Sequence, residues 1–478
     1  MSGDSVTSDS ITSDSAANDS AAGEDGTFAA PTGRQRDLTV GPVLKTLLLF
    51  AVPFFAANIR QALYGAVDLL VVGQFAKNSS EVSAVACGSQ VITLLTLVII
   101  GLSIAGTVIV GKYYGAKQID AVRRTIGTIF STFAIVTLLI TAAMLLFSSE
   151  LLRFLHTPPE AFAAAKEYII ICSCGSIFIA GYNVCSAIMR GVGDSVTPMI
   201  IVGIACFVNL LTDLLLVGYY AMGPAGAAYA TIGSQAVSVI IGVIAIKRQN
   251  FLADFKLQSF RIDWQLAKKL FVIGIPLAVQ SALIDFSFMV IFSFINRMGV
   301  AASAGYGICC RINGFTMLPA ISLAMALTAM VAQNLGADKP RRAISAFRWG
   351  LLCAGICAAA CWCWMRFFPR TAFILFTHDE EVIRAGSLYM KSFCFDVLLV
   401  AFVFCANGLL NGSGHTRFTF VTNVVPTCLI RVPAAWWFSS IPGATLYAIG
   451  WAAPLASVLS VIITLIYLKT GRWRIKRL

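Results

Sequence analysis

Hydrophobic positions in this chain fall in long unbroken runs, with polar residues confined to short stretches between them. Twelve such runs can be drawn, with cores near 46–72, 86–110, 126–147, 168–189, 198–218, 224–246, 270–294, 306–331, 347–367, 388–410, 418–438 and 443–467. Crossing a hydrocarbon core of about 30 Å at about 1.5 Å per residue takes a helix of about 20 residues, and each run is that long. None shows the polar/apolar alternation of a membrane barrel strand. The pattern predicts an all-α integral membrane protein of twelve transmembrane helices.

The runs also repeat. VGKYYGA (110–116) returns as VAQNLGA (331–337), LFAVP (49–53) as FVIGIP (271–276), and MRGVGDSVTPM (189–199) as LNGSGHTRFTF (410–420), always 221 to 223 residues later. Six spans separate equivalent positions, so the two copies have the same orientation and are related by an axis near the membrane normal. That arrangement of two pseudo-symmetric six-helix bundles is one that secondary transporters use, with a cleft between the bundles. The expected division is a disordered acidic tail (1–38), a first bundle (39–246), an inter-bundle loop (247–269), a second bundle (270–467) and a basic tail (468–478). The tail prediction rests on residues 1–33, which hold six acids, no bases and one aromatic and so cannot bury enough apolar surface to fold. Without a basic segment ahead of an apolar run, that tail does not read as a cleaved leader. The stretch 151–168 reads as a short interfacial helix and a break.

Against this apolar background a few polar residues stand out. Asp68 lies in the first run, which has a proline, Pro53, in its first half. A carboxylate at the centre of a membrane helix costs about 2.5 kcal/mol or more, so it needs a cavity, a partner or a route to the interface. Gly73 follows five residues later, so snorkelling alone would account for a single acid there. Asp213, however, lies five residues before Gly218 on the fifth run, at the same depth, with Asn209 four residues earlier on the same helical face. Thr231 lies seven residues into the sixth run. Asp68, Asn209, Asp213 and Thr231 could therefore meet at one level in the outer half of the first bundle as a cation site. Positions equivalent to the two acids fall at about Ile291 and Ala434, so the second half does not repeat them. It has its own polar residues, and Asp285 or Asp396 is expected to pair with Arg311 or Arg431 to neutralise buried charge. Tyr64, Gln280, Asp285 and Asn407 are candidates for lining the cavity, while Gly191, Gly193, Gly412 and Gly414 are expected to permit tight turns at the inner ends of spans.

Composition narrows the class further. Only 12% of residues are charged and 58% are hydrophobic, against about 25% charged in soluble domains. The net charge of +12 would suit a nucleic-acid partner if it were clustered on one soluble surface. Instead, 24 Lys and Arg fall in the even-numbered loops and tails and eight on the opposite side, with Arg60, Arg311 and Arg431 inside spans. This bias predicts both termini in the cytoplasm. The charge is topological, and no nucleic-acid partner follows from it. The 14 cysteines sit almost wholly in apolar runs and read as small core residues, and the three histidines are scattered with no metal-ligand spacing. No catalytic constellation and no GxxxxGK[ST] phosphate loop is present, which argues against an enzyme, a metal or cofactor site, or ATP-driven transport.

Pro53 and Asp68 in the first span, GKYYGA, MRGVGDSVTP, NLLTD in the fifth span and GAAYAT at the start of the sixth together resemble the multidrug and toxic compound extrusion (MATE) family. QNLGA, LNGSG and Arg431-Val432-Pro433 resemble its C-terminal counterparts, and GIPLAVQS is similar to the DinF-like bacterial branch. The resemblance spans residues 40 to 467. It implies efflux of cationic or amphipathic drugs across the plasma membrane by a carrier that binds no cofactor and is driven by H⁺ or Na⁺. It also implies a cation site at Asp68, Asn209, Asp213 and Thr231, and a first helix that bends at Pro53. Two departures stand in the chain, Asn411 in LNGSG and Arg60. The oligomeric expectation is a monomer. The alternative within the superfamily is a flippase for lipid-linked oligosaccharides, which would need a strongly cationic cleft.

Overall fold

A computed structural model describes residues 35–75, 78–154, 157–248, 260–441, 443 and 445–474, and the side chains within these except those of 63–74, 79, 154 and 474. Among the described residues every long element is a helix: α1 (Val43–Phe75), α2 (Ser79–Gly115), α3 (Ile119–Phe154), α4 (Pro159–Cys174), α5 (Ser176–Gly191), α6 (Val196–Asp213), α7 (Gly223–Lys247), α8 (Trp264–Asn296), α9 (Val300–Gly336), α10 (Pro340–Phe367), α11 (Pro369–Ile374), α12 (Glu380–Ser413), α13 (Thr416–Pro426), α14 (Val432–Ser440), α15 (Leu446–Ile449) and α16 (Ala452–Lys469). A π-helical stretch, Leu214–Tyr219, prolongs α6, and another, Thr427–Arg431, joins α13 to α14.

Eleven of these helical stretches are long and apolar enough to cross a membrane among the described residues; α4 and α5 together make a twelfth, bent by 46°. The bend falls at Gly175, where a side chain would run into Ile232. It is held by α3, whose Thr141 hydroxyl donates to the Ser173 carbonyl (3.2 Å) and bonds the Ser176 hydroxyl (2.7 Å). A carbonyl freed by the break thus finds a partner inside the bundle, the condition for breaking a helix in lipid.

Helix ends follow local chemistry. Asp263 accepts from the amides of Gln265 and Leu266 and starts α8 at Trp264, six residues before the expected limit of the second bundle. Asp379 does the same for α12, and Gly414 closes α12 in the left-handed region (φ 87°). The expected separate interfacial helix at 151–168 is corrected. Leu151–Phe154 is the last turn of α3, and Leu152 is buried against Ala161 and Ala165 of α4, so its apolar side chains continue an existing packing face.

The two halves meet closely at the end where the chain enters and leaves the bundle. Here α2 packs along α8 and α9, and α1 along α9 and α10. Gly101 lies on the backbone of Gly274 and Ala278, and Gly111 on Ala332. At the tip the repeat is nearly symmetric. A Cβ on Gly115 would collide with the Gln333 carbonyl, and one on Gly336 with the Lys112 carbonyl, so backbone touches backbone in both directions.

A clasp of hydrogen bonds closes this seam. Gln333, fully buried, donates through Nε2 to the Gly191 carbonyl (2.8 Å) and accepts through Oε1 from the Leu38 amide (3.2 Å). Asn334 Nδ2 donates to the Leu38 carbonyl (3.1 Å), Lys339 to the Thr39 carbonyl (3.0 Å), and Arg342 to the carbonyls of Leu38, Val40 and Gly41. Lys112 Nζ donates to the Ser413 carbonyl (2.9 Å), and the Arg36 amide to the Gly193 carbonyl (3.2 Å). Arg36 and Leu38, which fall inside the expected tail 1–38, are therefore packed into this seam, Leu38 wholly buried. At the other terminus Trp473 is buried in a cluster with Val331, Leu335, Ala343, Leu409 and Leu410, so the basic tail docks through one aromatic anchor. Residues 1–34, which carry most of the expected acidic tail, and 475–478 lie outside the described residues.

Candidate functional site

The predicted cation site begins on α6. Asn209 and Asp213 are four residues apart on one face, and each is only 1% exposed, so two strongly polar side chains are enclosed by protein at membrane depth. The α-helical ladder ends at Asp213 and a π-helical turn follows. Such a turn widens the helix by one residue and re-aims the side chains around it, which is why π-bulges recur at functional positions. Helix α7 packs beside α6, carrying Thr231 half-buried, and α1 packs against both helices and against the π turn.

The level of Asp68 can be fixed from the backbone. The Phe75 ring at the end of α1 stands 3.5 Å from where a Gly218 Cβ would be, pinning the ends of α1 and α6 together. Asp68 is seven residues before Phe75 and Asp213 five before Gly218, which places their helical turns about 10 and about 8 Å below this contact. The side chains of Asp68 and Tyr64 lie outside the described residues. The structure thus places Asn209, Asp213 and Thr231 on two neighbouring helices, and brings the Asp68 turn of α1 alongside them.

Sequence reasoning missed a buried tyrosine packed against the π-helical turn that follows Asp213. Tyr168 of α4 is buried with Val85, Cys172, Val217, Ala227 and Ala228, and its hydroxyl accepts from Ser89 of α2 (3.3 Å). A tyrosine in an apolar run has no distinguishing spacing, so no signal in the chain marks it. The clasp residues Gln333, Asn334 and Lys112 were also missed, although the paired repeat VGKYYGA/VAQNLGA contains all three.

The other singled-out residues are scattered. Pro53 is buried within α1, where its missing N–H leaves one helical carbonyl unbonded and weakens the helix at that turn. Arg60 reaches along α6 to the Met199 carbonyl (3.1 Å). Gln280 is half-buried and Asp285 exposed on α8. Asn407 is committed to Asn423, the two amides bonding each other at 3.1 and 3.4 Å. Gly191 ends α5, Gly193 takes φ 90°, and a Cβ on either Gly193 or Gly412 would strike a backbone carbonyl, of Arg36 or Thr328 respectively. The expected neutralising pairs in the second half do not form within 4 Å among the described residues. Asp396 instead accepts from Ser457 Oγ, and the guanidinium carbon of Arg431 lies 3.9 Å over the Phe288 ring. The reason is side-chain direction: Arg431 lies over an aromatic face on the neighbouring α8, while Asp396 of α12 is bonded to Ser457 of α16.

Among the described residues no cluster of three or more His, Cys, Asp or Glu could hold a metal ion.

Comparison with known proteins agrees with this architecture. The chain is 27% identical over 446 residues to the probable multidrug resistance protein YpnP of Bacillus subtilis, covering 92% of this chain and 98% of that one. It is 26% identical over 445 residues to the probable multidrug resistance protein NorM of Thermotoga maritima, covering 91% and 94%. Its fold superposes on an outward-facing multidrug resistance MATE family transporter of the MOP superfamily with a TM-score of 0.84 at 19% identity, covering 91% of this chain and 97% of that one. The family model for MatE matches twice, at residues 53–215 and 276–437, once in each half. With two thirds of its length inside those matches and a fold to correspond, the chain belongs to the MATE family, whose members are membrane transporters and not enzymes.

Proposed function

We propose that this protein is a cation-driven exporter of cationic or amphipathic compounds, with the N-terminal bundle holding the coupling ion. The observation that carries the reading is the burial of Asp213 and Asn209 on one face of α6, at a π-helical turn packed on α1 and α7. A buried acid in lipid persists where charge exchange is part of the work. Asp213 and Asp68 would be the acidic members of the site, and Asn209 and Thr231 would supply neutral oxygens. Two carboxylates in one low-dielectric chamber repel each other, so they take up a proton or Na⁺ as a coupled pair. Neutralisation would let α1 rearrange at Pro53 and shift the balance between states open to either side. The relatives' names, which include multidrug resistance proteins, support a drug-like substrate class. The charge bias of the loops supports cytoplasmic termini in the plasma membrane. The working unit is proposed to be the single chain.

The test is efflux of a fluorescent organic cation from proteoliposomes, with proton and sodium gradients imposed one at a time. One gradient should drive efflux, and Asp213→Asn should abolish it with protein insertion unchanged. Efflux by Asp213→Asn at the wild-type rate would refute the assignment of the site.

A further inference from the structure

The second bundle holds an unused charge at a telling place. The two MatE matches begin 223 residues apart and end 222 apart, so Arg431 falls within one residue of the position equivalent to Asn209. Tyr389 likewise corresponds to Tyr168, at an offset of 221. Both Asn209 and Arg431 lie on helices that carry a π-helical stretch, Leu214–Tyr219 after α6 and Thr427–Arg431 before α14. The two acids of the first half have no counterpart, since Ile291 stands near the position of Asp68 and Ala434 and Ala435 near that of Asp213.

Two buried polar atoms at and beside Arg431 lack hydrogen-bond partners among the described residues. Phe288 covers one face of the guanidinium at 3.9 Å. Nε of Arg431 is buried and without a hydrogen-bond partner, and no carboxylate oxygen lies within 4 Å of the guanidinium among the described residues. Tyr306, 2% exposed, has a hydroxyl beside the Cys310 thiol that finds no oxygen or nitrogen partner. Aromatic rings are stacked in the core beside it: Phe292 stacks on Tyr306 (5.6 Å), Tyr306 meets Tyr389 edge-on (5.1 Å), and Tyr389 stacks on Phe393 (5.4 Å). Asp396 is near enough to feel the guanidinium's charge but is bonded by Ser457. Arg431 remains partly exposed, as do Phe292 and Met289 near it.

We infer that Arg431 centres an anion pocket in the second bundle, the charge-inverted counterpart of the acidic site in the first, which takes the carboxylate of an aromatic or amphipathic ligand. A guanidinium is always charged and presents donors in a planar fork that matches a carboxylate, so a partly desolvated one with no carboxylate within 4 Å among the described residues favours such a group. One arginine with Asp396 nearby suits a single negative charge better than a phosphate dianion. The partly exposed rings of Phe288 and Phe292 would hold the ligand's apolar body. The pocket deepens the export reading by naming a substrate class, and its transport role rests on that reading; the binding itself does not.

Benzoate is the probe, with benzamide as its neutral isostere, titrated calorimetrically against the full chain in nanodiscs. Benzoate should bind at least tenfold more tightly than benzamide. Arg431→Gln should weaken benzoate at least tenfold, Arg431→Lys less, and Tyr306→Phe severalfold, so a fold defect in any one variant leaves the others to decide. Asp396→Asn should tighten benzoate binding by removing a competing charge. Asp213→Asn should leave it unchanged while losing cation efflux, which separates failure of this pocket from failure of the coupling site. Equal binding of benzoate and benzamide, wild-type affinity in Arg431→Gln, or loss of benzoate binding in Asp396→Asn would each overturn the pocket, the last by making Asp396 the structural partner of Arg431.

Discussion

Gly115→Ala should loosen the seam between the halves without disturbing either bundle. In the present arrangement a Cβ on Gly115 would lie 2.8 Å from Gln333 Cα and closer still to its carbonyl, where ordinary van der Waals contact begins near 3.4 Å. The obstacle is helix backbone, which cannot rotate away as a side chain can; the tightest contact, with the Gln333 carbonyl oxygen, requires α2 and α9 to separate by about 1 Å or more. Overpacking of this kind costs about 1–3 kcal/mol. The cost applies only while the seam is closed, so the balance between closed and open seam should move about 5- to 150-fold. A reporter is Ser413→Cys in a background without other cysteines, because Ser413 is 1% exposed and its carbonyl takes the bond from Lys112. In nanodiscs, maleimide should label that cysteine at least fivefold faster in Gly115→Ala, and Gly336→Ala should behave alike because it meets the Lys112 carbonyl from the other side. Gly233→Ala is the control, since a Cβ there meets nothing within 4 Å. Labelling of Gly115→Ala within twofold of its parent, with unchanged thermal stability, would refute the idea that backbone contact holds the seam.

Gln333→Leu should lower the thermal midpoint measurably: it leaves the buried Leu38 amide and Gly191 carbonyl without these partners, at about 1–3 kcal/mol for each unsatisfied group. Retention of the wild-type melting temperature would show that water replaces the glutamine there. Trp473→Ala should cost about 3–5 kcal/mol, because the indole is 4% exposed in a cluster that includes α9 and α12. Limited proteolysis should then remove the C-terminus faster than in the parent, and equal rates would count against the anchor.

Much of the fold was legible because lipid imposes simple rules. A backbone in hydrocarbon must satisfy its hydrogen bonds internally, so each apolar run had to be a helix, and the repeated motifs announced two copies of one design. The Asn209–Asp213 spacing likewise had to place both residues on one helical face. What was not legible concerns breaks and directions. The bend at Gly175 depends on Thr141 of another helix, and residues 151–154 continue α3 because α4 happens to receive them. The expected Asp–Arg pairs in the second half do not come within 4 Å among the described residues, although Asp396 feels the charge of Arg431, because rotamers and neighbours decide which groups touch.

The chain by itself determined that this is an all-helical membrane protein with acids on two spans at matched depth, since hydrophobic run length and helical periodicity are local properties of the sequence. Only the tertiary structure decided that Leu38 and Gln333, 295 residues apart, share a hydrogen bond across the seam, and that Arg431 lies over Phe288 while Asp396 takes its bond from Ser457. Those outcomes depend on distances between helices, set by which small residues let backbones touch, and no single stretch of sequence encodes them.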